Sequence, residues 1–226
     1  LLGERVVSFT FGGIRSGRRI FGHRFMKPGS IILDSAEQYQ EALADAYVLA
    51  DMDQRRSVMY ESMQRTVKKV KGRILEDTEL VEINNNLVEY PAVVLGRFNE
   101  KFLELPREVL VTAMREHQRY FAVVDDKDDL MPYFVSVNNN RARDMGVVAK
   151  GHERVLKARL EDARFFYGLD LKTPPEDRVE SLKSVVFQAE LGSVYDKTSR
   201  IRKLGEKLSL MLELDSRHRS NIDRAA

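Results

Sequence analysis

The chain has no cysteine among its 226 residues. That excludes a disulfide scaffold and a cysteine-held zinc site, and it suits a reducing compartment. No apolar run approaches membrane-spanning length and no secretory leader is visible, so the expected place is the cytoplasm, with no membrane partner. An initiator methionine is also missing. The sequence opens on Leu1-Leu2-Gly3 and stops at Arg224-Ala225-Ala226, which reads as an internal piece of a longer protein. The common catalytic signatures are absent: there is no Gly-x-x-x-x-Gly-Lys phosphate loop and no Gly-x-Ser-x-Gly elbow. The four histidines, His23, His117, His152 and His218, show no metal-ligand spacing. No catalytic and no metal-binding residue is assigned.

Hydrophobic residues make up 43% of the chain, enough for a packed core in one large domain or two small ones. Net charge is only +2, but the charges are segregated. Arg5 to Lys27 holds six basic residues and no acidic one. Arg55 to Arg73 holds seven basic residues against Glu61, and Glu76 to Glu104 holds seven acidic ones against Arg97 and Lys101. Separated basic tracts favour a polyanionic partner. Solvated helix and strand faces would give the same pattern. The candidate RNA contacts are Arg18, Arg19 and Arg24 in the first tract, and Arg65, Lys68 and Lys69 in the second.

Periodicity and turn chemistry predict an α+β chain. Val6 to Phe11 alternates as a strand, and Arg18 to Phe25 reads as a second strand paired with it. Asp34 and Glu37 form a capping-box pattern for a helix through Ala50. A helix over Asp53 to Val70 carries Met59, Met63, Val67 and Val70 on one arc and ends at Gly72. Leu80 to Leu87 is ambiguous between helix and strand. Ala92 to Phe98 is a strand, Pro106 opens a helix to Gln118, and Tyr120 to Val124 pairs with Tyr133 to Val137 as a hairpin. Thr173-Pro174-Pro175-Glu176 reads as a capped helix start. The last helix has Val194, Ile201, Leu204, Leu208, Met211 and Leu212 on a stripe that calls for a partner helix. A mixed domain over residues 1–168 and a helical piece over 169–226 follow.

One helix, Lys150 to Tyr167, organises the rest. Val155, Leu156, Leu160, Ala163, Phe166 and Tyr167 fall on one arc. Arg154, Lys157, Glu161 and Arg164 take the other side, and Arg154 and Lys157 join the RNA candidates. His152 and Arg159 project into the apolar arc. A buried arginine needs a partner, so Arg159 is expected in an internal ion pair with Asp162. His117-Gln118-Arg119-Tyr120 is the most site-like cluster, where a helix hands over to a strand. His117 and Arg119 could reach RNA, but such residues also serve a helix C-terminus without any ligand. Asn138-Asn139-Asn140 is explained by turn chemistry.

Several blocks carry a resemblance: Gly22-His23-Arg24-Phe25, Met114 to Phe121, Pro132 to Asn138, the Lys150–Tyr167 helix, Val185-Val186-Phe187-Gln188, Leu191-Gly192-Ser193 and Asp196-Lys197. In this order they resemble the beta subunit of the bacterial two-subunit glycyl-tRNA synthetase over nearly the whole chain. The resemblance implies a part in attaching glycine to tRNA(Gly) with ATP and Mg2+, both bound by a separate alpha subunit and neither by this chain. It implies an assembly of two alpha and two beta chains. It also implies a mixed α/β domain like the editing-type domain of the phenylalanyl-tRNA synthetase beta subunit, then the first helices of an HD-like helical domain whose His-Asp pair is not visible. Gly151-His152-Glu153-Arg154 is superficially similar to the end of a class II synthetase motif, but the antiparallel-sheet context that such a motif needs is missing. The expected role is scaffold and RNA surface, with no activity in the chain alone. The rivals are a pure subunit-interaction module without RNA contact and an editing-type hydrolase.

Overall fold

A computed structural model describes residues 1–225. The chain divides into two units, Leu1–Arg164 and Phe165–Ala226. The division falls inside a long helix, a little before the expected boundary at residue 168.

The first unit opens with two small hairpins. β1 (Thr10–Phe11) pairs with β2 (Ile14–Arg15), and β3 (Arg19–Phe21) pairs with β4 (Ser30–Ile32), all antiparallel. The expected pairing of the first strand with Arg18–Phe25 is therefore wrong. Gly12 and Gly13 both take left-handed φ, 57° and 79°, and close the first hairpin at once, the turn that two-residue hairpin loops favour. The expected long helix from Asp34 is wrong too. Only α1 (Tyr39–Ala44) forms, with no side-chain cap. The Asp34 amide instead donates to the Gln38 side chain at 3.1 Å. Tertiary bonds end the helix early: the Ala46 carbonyl accepts from the His23 amide at 2.8 Å, and the Leu49 amide donates to the Glu89 carbonyl at 2.9 Å.

α2 (Met52–Lys68) is capped by Asp51, whose side chain accepts from the Asp53 and Gln54 amides. It buries Arg55, Met59, Met63 and Val67, spaced four apart along one stripe. Lys71 takes the left-handed φ that ends it. Gly72 serves close packing, since a Cβ there would lie 2.6 Å from Val123 Cγ1. β5 (Arg73–Ile74) follows, then α3 (Thr78–Leu87), which resolves the ambiguous segment as a helix capped by Asp77. β6 (Ala92–Arg97), α4 (Arg107–Gln118), β7 (Phe121–Val124) and β8 (Leu130–Asn138) complete the sheet, which is antiparallel in the order β5-β7-β8-β6.

Met59, Met63 and Val67 of α2 pack with Ile74, Leu80, Phe121, Val123 and Val135 as one core. The pleat sends Phe134, next to Val135, to the opposite face, where its ring stacks on Tyr120 at 4.7 Å. Phe134 pairs across strands with Gly96. A Cβ at Gly96 would sit 2.2 Å from Phe134 Cζ, so only glycine lets the ring lie flat over β6. α5 (Met145–Asp170) then leads out of this unit; Asp144 begins it by accepting from the Gly146 and Val147 amides.

The second unit contains α6 (Pro175–Arg178), a 3-10 turn at Val179–Ser184, a hairpin of β9 (Val186–Gln188) with β10 (Gly192–Ser193), α7 (Val194–Met211) and α8 (Ser216–Ala225). The expected Thr173 cap is absent; Pro174 occupies the N-cap position with no side-chain bond. Ser193 and Asp196 instead form a capping box that starts α7. The apolar stripe of α7 does not meet the partner helix that its spacing calls for. α8 lies on another side, where Arg202 pairs with Asp223 and Ile222 fills the space beside Gly205. Ile201, Leu204, Leu208, Met211 and Leu212 stay exposed.

Candidate nucleic-acid interface

The candidate contacts fall in four places on the first unit. The first is the N-terminal hairpin pair. Arg18 is a structural residue there: its guanidinium donates to the carbonyls of Leu33, Asp34 and Glu4 and ties the segment together. Arg19 and Arg24 are exposed. The second is the last turn of α2, where Arg65, Lys68 and Lys69 are exposed at a helix C-terminus, a place that favours cations by itself.

The third is the end of α4. Arg119 sits in a left-handed C-cap with φ 57°; its carbonyl accepts from Asn84 and its guanidinium lies 3.5 Å from Glu116. His117 is exposed beside it. Tyr120 turns inward, only 4% exposed. Its hydroxyl lies 2.7 Å from His152 Nδ1, and His152 Nε2 lies 2.9 Å from Asn138 Oδ1. The Asn138 amide nitrogen faces the Ala92 carbonyl, so Oδ1 must accept. His152 Nε2 therefore carries the proton, and Nδ1 accepts from Tyr120. Both ring nitrogens are engaged, which leaves no free base. Burial lowers the His152 pKa and pushes the Tyr120 pKa up to about 12, so both stay neutral near pH 7. The neighbouring asparagine is equally occupied. Asn139 Oδ1 accepts from the Glu89 and Tyr90 amides, and its carbonyl accepts from buried His23 at 2.7 Å.

The His152 pair makes a pH prediction. Its folded pKa lies below the ordinary 6.5, so the unfolded chain takes up the proton first as pH falls. The stability it contributes is full above about pH 6.5 and is lost as pH drops towards the lower folded value. Urea midpoints measured from neutral pH down to about pH 5 should fall, and His152→Gln should flatten part of that slope. An identical slope in the variant contradicts the assignment.

The fourth place is a cleft of about 450 Å³ between the end of β6 and α5, lined by Arg97, Lys101, Lys150, Arg154 and Lys157 over Phe98 and Asn99. Of the sequence candidates, only Arg154 and Lys157 are here; Arg97, Lys101 and Lys150 were missed. Burial on α5 sets the arrangement. Leu156 and Leu160 are fully buried and His152 is half-buried on the same stripe, which turns Lys150, Arg154 and Lys157 outward. Glu153 is the one acidic lining residue, and its carboxylate is engaged, accepting from the Arg97 amide at 2.9 Å. Arg97 pairs with Glu100 at 2.8 Å, and Lys157 approaches Glu161 at 3.9 Å. Among the described residues, Arg19, Arg24, Lys27, Arg65, Lys68, Lys69, Lys101, Lys150 and Arg154 form no ion pair. Five cations line the recess. Two of them share their charge with Glu100 and Glu161 at its edge. Lys101, Lys150 and Arg154 stay unpaired among the described residues, which leaves an electropositive surface fitted to a phosphate backbone.

The expected Arg159–Asp162 internal pair is wrong. Both residues are exposed, and no ion pair joins them. Arg159 follows His152 by seven residues and so flanks the edge of the His152–Leu156–Leu160 stripe, where its side chain reaches solvent. Arg159→Ala should leave the unfolding free energy from urea titration within about 0.5 kcal/mol of the parent; a larger loss contradicts this placement.

A family model described as the glycyl-tRNA synthetase beta subunit matches residues 1–226, the whole chain. The chain belongs to the glycyl-tRNA synthetase beta subunit family. A glycine–tRNA ligase beta subunit of Desulforapulum autotrophicum is 52% identical over 226 residues, covering 100% of this chain and 33% of that protein. The corresponding subunit of Desulfatibacillum aliphaticivorans is 46% identical over 215 residues, 95% of this chain and 31% of that protein. That of Citrifermentans bemidjiense is 48% identical over 212 residues, 94% and 31% respectively. The chain therefore spans about a third of the length of the curated relatives it matches. Within this family frame, the blocks that carried the resemblance have structural reasons. Gly22 leaves room for Ala46, since a Cβ there would lie 2.5 Å from the Ala46 Cβ. His23 is buried and bonded at both ring nitrogens. No helix is long and apolar enough to cross a membrane among the described residues. No cluster of three or more His, Cys, Asp or Glu able to hold a metal occurs among them either.

Proposed function

We propose that this chain serves the ligation of glycine to tRNA(Gly) as part of a glycyl-tRNA synthetase beta subunit, and that its cleft beside α5 contacts the tRNA backbone. The family membership supports the first half. The second rests on one observation: five cations, from β6, the 3-10 turn Glu100–Glu104 that follows it and α5, converge on a recess in which Glu153, the one acidic lining residue, is already engaged. Partnership with an alpha subunit in an assembly of two alpha and two beta chains, working in the cytoplasm, belongs to this reading. So does the likeness of the first unit to an editing-type domain and of the second to the start of an HD-like domain. ATP and Mg2+ are assigned to the alpha subunit. The chain alone is inactive in this reading.

The test uses the full-length beta chain with its alpha subunit. Charge reversal at Lys150, Arg154 and Lys157 should raise KM for tRNA at least about tenfold, because three phosphate contacts turn repulsive. Glycine-dependent pyrophosphate exchange should stay at the parent level. Unchanged KM for tRNA would favour the pure subunit-interaction role.

A further inference from the structure

We propose that the β3–β4 hairpin is a platform for single-stranded RNA, with bases stacking on Phe21 and Phe25 and phosphates meeting Arg19, Arg24 and Lys27. This surface shares no residue with the cleft beside α5, so either site can fail in test without the other.

Three observations carry the inference. First, exposed aromatics alternate with exposed cations. Phe21 is 65% exposed and Phe25 72% exposed. Strand alternation puts Arg19 on the same face as Phe21, with Ile32 opposite Arg19 across the hairpin and also exposed. The Arg24 guanidinium lies over the Phe25 ring, 5.6 Å from its centroid, so that charge and ring meet in one patch.

Second, the exposed rings stand on a backbone fixed from beneath. Buried His23 accepts from the Phe25 and Met26 amides at 3.2 Å each through Nδ1. Its Nε2 donates to the Asn139 carbonyl at 2.7 Å. Met26 sulfur accepts from the Arg141 amide at 3.3 Å. An aromatic side chain presented to solvent from a pinned turn loses little freedom when a ligand stacks on it.

Third, the charge is of one sign. No acidic residue occurs between Arg5 and Leu33, and Arg19, Arg24 and Lys27 are exposed without ion-pair partners among the described residues. A protein-docking patch of this size would have an apolar centre depleted of charge. Here Phe21 and Phe25 each have a cation as neighbour or second neighbour in sequence, Arg19 for the first and Arg24 and Lys27 for the second. That combination suits unstacked bases on a phosphate chain. It suits a duplex less well, because a duplex hides its base faces and has no use for the rings.

The experiment measures binding of oligouridylate and of duplex RNA of equal length to the whole chain by fluorescence anisotropy. Phe21→Ala and Phe25→Ala should each weaken oligouridylate binding about tenfold and leave duplex binding unchanged. Phe21→Trp should keep parent affinity. Arg19→Ala with Arg24→Ala should weaken both ligands and reduce the salt dependence for the single strand by about one unit. Parent-like oligouridylate affinity in both phenylalanine variants overturns the proposal. So does a change in self-association or protein capture in those variants without a change in RNA affinity, which would make the patch a protein-docking surface.

Discussion

Replacing Arg55 by alanine is expected to destabilise the first unit by about 3 kcal/mol. Arg55 is only 9% exposed and has no carboxylate partner among the described residues. Its Nε donates to the Asn85 carbonyl at 2.9 Å and its Nη1 to the Leu49 carbonyl at 2.5 Å. Those carbonyls end α3 and the loop before α2, so one guanidinium closes three segments around the end of the core. Removal strands two buried acceptors and opens a void where the stem packed. Arg55→Met separates the causes, because it keeps most of the stem and removes the donors. Urea unfolding should place it between alanine and the parent. A methionine variant as stable as the parent would mean that packing alone sets the value.

The second large effect concerns the second unit. Ser209 is the only buried residue between Phe165 and Ala225. Ile201, Leu204, Leu208, Met211 and Leu212 are 45%, 61%, 56%, 71% and 68% exposed. A helical unit without a buried apolar side chain gains little from the hydrophobic effect. Its amides should exchange through local opening at low cost. Hydrogen exchange of the chain should show residues 169–225 losing protection orders of magnitude faster than β6, β7 and β8. Equal protection in a proven monomer would contradict this.

The sequence made most of the sheet and its covering helices legible. The spacing of Met59, Met63 and Val67 and the hairpin of Tyr120–Val124 with Tyr133–Val137 follow from period and turn chemistry, and the structure extends the second strand to Leu130–Asn138. It misled where side-chain polarity and periodicity disagreed. Arg55 continues the Met59–Met63–Val67 spacing by one more turn, so its burial was readable in principle. An arginine at a stripe's end is easily read as its solvent boundary. Arg159 is the converse error. The arc drawn through Val155, Leu156, Leu160 and Phe166 was too wide, and the buried stripe on the first unit is the narrower His152–Leu156–Leu160. The early helix failed for a different reason. Its capping pattern was local, whereas the bonds that end it come from Glu89 and His23, far away in sequence. Half of the cleft was invisible for the same reason: Arg97 and Lys101 belong to a tract that reads as acidic, and only the fold brings them to Lys150.

The most direct test of the central claim is the salt dependence of tRNA(Gly) binding by this chain. Binding is compared between the parent and a variant with alanine at Lys150, Arg154 and Lys157. If the cleft neutralises phosphates, the variant binds more weakly and its log–log salt slope is shallower by about two units. An unchanged slope and affinity would contradict the account and remove the cleft from the RNA surface.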